Sequence, residues 1–278
     1  MESASPASFP HAIPPDTEGR VGATQYVLWN NFSFAIWDKS GNLLYGPAAG
    51  NTLFQPLGGD CATTNDGDPV VAYDILAGRW ILSQFVAGGS PNYSHQCVAV
   101  SQTQDATGPY YLYDFITDST NFVDYTKIGV WPDGYYMSGH VFDPTVTPNP
   151  YLAGRVFVFE RSQMIQGLPA RFVCTDLPEI GTSVQFGFLP ADLDSLTPPP
   201  TGEAEFVVGP DPVLSDLIDA TRATVSWGTT PSLTFSDTMR VTIINGGDAP
   251  CATGDPTPPR GELRAAARRR QPELSRQP

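Results

Sequence analysis

This chain has almost no helical periodicity and, at 16% Asp, Glu, Lys and Arg, few charges for its 278 residues. The first absence points away from helical folds. No stretch is long and apolar enough to cross a membrane as a helix, so no membrane span is expected. Four cysteines without CxxC spacing and only three histidines argue against a zinc site. Met1-Glu2-Ser3-Ala4 lacks a basic region and no apolar run follows it, so the chain reads as having no signal peptide. No serine, cysteine or lysine sits in a nucleophile context, which leaves acyl transfer unsupported. Basic residues are scarce until the last nineteen positions, where six of the fifteen lie. Without that tail the net charge changes from -14 to -18, which excludes nucleic acid and anionic membrane as partners. The Pro-, Ala- and Arg-biased tail, residues 251–278, reads as disordered, and residues 1–13 as a flexible lead-in.

What is abundant is turn chemistry: 28 prolines and 26 glycines punctuate short apolar segments. Three of these segments place an aromatic at intervals of 54 and 56 residues, in Tyr26-Val27-Leu28, Trp80-Ile81-Leu82 and Tyr136-Met137-Ser138. Ten to twelve residues before each aromatic stands an aspartate, Asp16, Asp68 or Asp124. A strand-and-turn period of this size predicts an all-β chain, a β-propeller with one four-stranded blade per repeat and about four recognisable blades within residues 14–250. The second repeat reads as Val70 to Tyr73, a turn over Asp74 to Gly78, and Arg79 to Phe85 returning. In the third, Pro132-Asp133-Gly134 turns Ile128 to Trp131 into Tyr135 to Ser138, proline presetting φ and glycine accepting a positive one. Cys97 to Ser101 and Gly154 to Glu160 read as third strands, and Tyr110 to Phe115 as an outer one. A weaker fourth repeat has Asp192 and Asp194 before Pro198 to Gly202, with Phe206-Val207-Val208 returning. Short helices are expected over Ser162 to Leu168 and after a Ser215 cap. Cys61 and Cys97 flank one hairpin, so they read either as a disulfide, favouring an oxidising compartment, or as buried thiols.

Pro14-Pro15-Asp16-Thr17 with Val21-Gly22, Asn65-Asp66-Gly67-Asp68-Pro69, Val98-Ala99-Val100-Ser101 with Thr107-Gly108, and the run from Asp124 to Tyr136 carry a resemblance. Together they resemble a family of secreted bacterial proteins with sialidase-like, Asp-box-type β-propellers, over residues 14–210. The resemblance implies a propeller and export to an extracellular or periplasmic location. Thr126 stands where that family usually has proline, and the likeness stops after Cys251, where further blades would be expected. An incomplete propeller would leave an open edge strand that invites oligomerisation. Ser101 to Tyr111 resembles the aspartate-box turn of sialidases, which implies that Asp105 stabilises a peripheral turn and is not catalytic. Asp68 to Asp74 is similar to the blade start of arabinan- and xylan-cleaving five-bladed hydrolases, which implies a general-base role for Asp68.

In a propeller the innermost strand of each blade starts at the face where the channel opens. Asp16, Asp66, Asp68, Asp124 and Asp192 are therefore expected around one mouth, with Tyr93, His95 and His140 at its rim. Asp74 and Asp133 belong to the opposite end and read as structural, and Trp131, Tyr135 and Tyr136 read as core. Clustered carboxylates have three uses: the acid and base of glycoside hydrolysis, calcium ligation, or turn capping. Asp68 and Asp124 are the candidate catalytic pair, and Asp16, Asp66, Tyr93, His95, Tyr125, Lys127 and His140 the candidate substrate contacts. No residue is assigned to a metal, and calcium is the one ion the site admits. Arg20 and Lys127 are too few cations for sialic acid, so the expected partner is a neutral extracellular glycan. Two functions follow: a glycoside hydrolase-like propeller, or a non-catalytic binding or adhesion propeller.

Overall fold

The computed structural model describes residues 14–89, 93–214 and 216–242. The expected lead-in 1–13 and tail 251–278 lie outside the described residues. Among the described residues, sixteen strands form four antiparallel four-stranded sheets, each a meander in chain order. The first holds β1 (Thr17–Val21), β2 (Gln25–Asn30), β3 (Ser33–Asp38) and β4 (Leu43–Ala49). The second holds β5 (Val70–Asp74), β6 (Arg79–Gly89), β7 (Tyr93–Ser101) and β8 (Tyr110–Asp118). The third holds β9 (Phe122–Trp131), β10 (Gly134–Phe142), β11 (Tyr151–Phe159) and β12 (Phe172–Asp176). The fourth holds β13 (Leu189–Pro190), β14 (Glu205–Pro210), β15 (Leu217–Ser226) and β16 (Ser232–Thr242). The leading strands lie side by side, β1 against β5, β5 against β9, and β9 against β13.

Strand alternation explains how the sheets stack. On β5, Val71 and Tyr73 join Val27, Trp29, Trp80 and Leu82 in a cluster between the first and second sheets. Their neighbours Val70 and Ala72 point the other way and join Val130, Tyr135, Met137 and Phe157 between the second and third. Trp131, Tyr136 and Val158 pack on Phe188, Val207 and Ala223 between the third and fourth. None of these three clusters draws on both the first and the fourth sheet. The end sheets show it: β2 alternates buried and half-buried positions, whereas β5 is buried throughout.

Two expectations need correction. The segment after Ser215 is not a helix but β15, whose Leu217–Ser226 alternation gives a strand one buried face. The fourth sheet starts earlier than its aspartates, because Asp192 follows the two-residue β13 rather than preceding an inner strand. At the start of the other expected helix, Ser162 to Leu168, α2 (Arg161–Met164) forms, and Gly59–Thr63 adds a short helix α1. Cys61 on α1 is bonded to Cys97 on β7, Cys174 is free, and Cys251 lies outside the described residues. No helix among the described residues is long and apolar enough to cross a membrane.

Candidate functional site

Asp16 stands just before β1, Asp68 just before β5, and Asp124 near the start of β9, so adjacent leading strands bring the three to one end. Asp68 shares a hydrogen bond with the Asp124 carboxyl. Burial first, then the negative charges of Asp124 and Asp16, push the Asp68 carboxyl up to about 6, with Lys127 opposing them. Asp16, Asp68 and Tyr125 all take positive φ, at 37°, 43° and 53°. Such backbone costs free energy for residues with a Cβ, and it gathers here around one carboxylate cluster.

Two local devices hold the cluster. In the tight loop between β2 and β3, Asn31 accepts the Asp68 N–H at 3.2 Å and donates to the Pro14 carbonyl at 3.1 Å, tying both acid-bearing segments together. A Cβ on Gly67 would fall 1.8 Å from the Asn31 Oδ1, so only glycine allows this approach. The second device is a register shift in β9. Lys127 opposes Ser138 and Asp124 opposes His140, so the irregularity between them puts Asp124 and Lys127 on one face despite their odd spacing.

Below the acids lie ion pairs. Glu18 receives Lys127 at 2.9 Å, and Arg20, two residues further along β1, pairs with Asp192 and Asp194. Asp192 accepts the Val130 N–H at 3.0 Å, six residues along β9 from Asp124. It therefore stands apart from Asp16, Asp68 and Asp124, with which the expected mouth grouped it.

The rim candidates divide. Asp66 is spent on the Ala87 N–H at 2.8 Å, and burial raises its carboxyl. His95 lies on β7, two strands out from β5, with Nδ1 2.7 Å from Asp114 and Nε2 3.7 Å from Asp60. The Tyr93 side chain lies outside the described residues. Tyr125 and His140 do come together, their rings stacked with centroids 5.2 Å apart, and Lys127 sits 5.1 Å from the Tyr125 centroid. Burial lowers the His140 pKa, with the Asp124 charge opposing it. Sequence reasoning missed Asn31 and Phe186; the latter stacks on His140 at 4.1 Å. Asp105 is a turn residue, binding the Thr107 N–H and hydroxyl and the Gln25 amide. Among the described residues, no three His, Cys, Asp or Glu side chains are grouped to hold a metal ion. No protein-family model, curated protein or solved structure matches the chain.

Proposed function

We propose that the four sheets are propeller blades and that the protein is an exported, glycoside hydrolase-like enzyme acting on a neutral glycan at Asp68 and Asp124. The observation that carries this reading is an aspartate on positive-φ backbone, raised to about 6 and hydrogen-bonded to a second aspartate, while the cation beside them, Lys127, pairs with Glu18. Asp68, raised to about 6, supplies the proton for a glycosidic oxygen, and Asp124 is its base or nucleophile partner. The two carboxyls share a hydrogen bond and, until a sugar seats between them, one proton. The disulfide suits an oxidising compartment. The same contact favours a second reading, a binding propeller whose acids grip sugar hydroxyls.

A turnover screen on neutral aryl glycosides and on plant and bacterial polysaccharides tests this, beside Asp68→Asn and Asp124→Asn. Expected is turnover that falls at least about a hundredfold in folded variants, with the wild-type rate declining above about pH 6 as Asp68 loses its proton. Glycan binding without turnover would leave the second reading, and neither would end both.

A further inference from the structure

Phe186 is 53% exposed, yet its chain neighbours Gln185, Gly187 and Phe188 are held fast. Tyr151 donates its hydroxyl to the Gln185 carbonyl, and the Gln185 side chain donates to Pro178 at 2.8 Å. Gly187, at φ 73°, donates its N–H to His140 Nε2 at 3.2 Å, and Phe188 is buried between the third and fourth sheets. The arch Gln185 to Phe188 thus presents one large apolar ring to solvent from a fixed backbone. Phe186 stacks on His140 at 22°, Tyr125 stacks on the same imidazole at 14°, and Tyr151 meets both Phe186 and His140 edge-on. Tyr125 is itself 45% exposed and follows Asp124 directly. The ring stack is therefore continuous with the acid cluster, and Lys127, the cation over the Tyr125 ring among the described residues, is already paired with Glu18.

We infer that Tyr125 and Phe186 form a second sugar-binding surface beside the acids, so that the ligand is a neutral oligosaccharide of at least two units rather than a single sugar. An exposed ring held in place without ordering cost suits the apolar face of a pyranose, and an uncharged stack selects against anionic sugars. The inference rests on the glycan reading above.

The test compares hexaoses of xylose, arabinose and glucose with the matching p-nitrophenyl monoglycosides, in the full chain. Phe186→Ala is expected to raise KM for the preferred hexaose about tenfold more than for the monoglycoside. Phe186→Tyr should restore the preference and Phe186→Leu should not, because leucine fills space without offering a ring face. Binding of the hexaoses to Asp68→Asn, read by affinity electrophoresis, gives a signal independent of turnover. If nothing is turned over but hexaose binding depends on Phe186, the hydrolase reading fails and this surface stands. If Asp68-dependent turnover is found and Phe186→Ala affects long and short substrates equally, the surface fails and the hydrolase stands. Rescue by leucine, or no hexaose binding by the wild type, overturns the inference.

Discussion

Asp74 and Asp68 stand at the two ends of β5, one as its last residue and the other two residues before its first. Asp74 is 0% exposed and receives the Arg161 guanidinium through two nitrogens, at 2.6 and 3.0 Å, with the Tyr135 hydroxyl at 2.9 Å. A further donor, the Ala77 N–H, closes its turn. Asp68 has another acid for a neighbour and sits on a left-handed backbone. The same side chain is structural where the fold supplies donors and chemically available where the fold supplies like charge. The difference comes from what other sheets deliver: α2 and β10 bring Arg161 and Tyr135 to one end, and β9 brings Asp124 to the other.

The largest break in this comparison should come from Asp74→Ala. It strands the Arg161 guanidinium, only 12% exposed, beside a vanished partner. The expected cost is about 3–5 kcal/mol, read by chemical denaturation. Next comes the disulfide, the covalent staple between α1 and β7 on the acid-cluster side. Replacing Cys61 and Cys97 by serine should cost about 3–4 kcal/mol on chain-entropy grounds for a 36-residue separation.

Asp68→Asn sharpens the contrast because it should act in the opposite direction. Its folded pKa of about 6 lies above the ordinary 3.8, so its proton stabilises the fold. That contribution is complete below about pH 3.8 and is lost as the pH rises through about 6. Asparagine escapes this loss, so the variant should be more stable than wild type by about 1–2 kcal/mol at pH 7, after allowing for solvent screening. At pH 3.5 the two should melt together. A variant less stable at pH 7 would mean that Asp68 is a turn-capping residue after all.

The legible parts of the chain were those with local signals. Val70 to Tyr73 and Ile128 to Trp131 declare strands by β-branched and aromatic content, and Pro132-Asp133-Gly134 declares its turn. The recurrence of Asp16, Asp68 and Asp124 at one point of the repeat indicated that they share an end of the sheets, as the leading strands show. Asp192 misled because β13 has only two residues and offers no pattern to place it against. Leu217–Ser226 misled because a serine cap and two aspartates imitate a helix start. Asn31 and Phe186 carry no local signal, since each acts on segments far along the chain: Asn31 on Asp68, Phe186 on His140. The pairing of Asp124 and Lys127 on one face depends on a register shift that period-2 reading reverses.

The smallest effect isolates the ring stack from the acids beside it. His140 is 4% exposed, and burial holds its pKa below the ordinary 6.5. Its neutral form accepts the Gly187 N–H, and an imidazolium could not. A depressed histidine contributes stability that is present above pH 6.5 and is lost as the pH falls toward and through its folded pKa, because the unfolded chain takes up the proton first. Over the same interval Asp68 works the other way, gaining stability as its proton returns. Glu205, pushed up to about 9 by burial, keeps its proton in the folded chain from pH 7 to 5 and adds a rise in stability on acidification that every variant shares. The other two slopes are therefore read as differences from wild type: on acidification from pH 7 to 5, His140→Gln should gain stability relative to wild type, and Asp68→Asn should lose it. Parallel profiles for His140→Gln and wild type would show that the proton-sensitive contact lies outside the Tyr125, His140 and Phe186 stack.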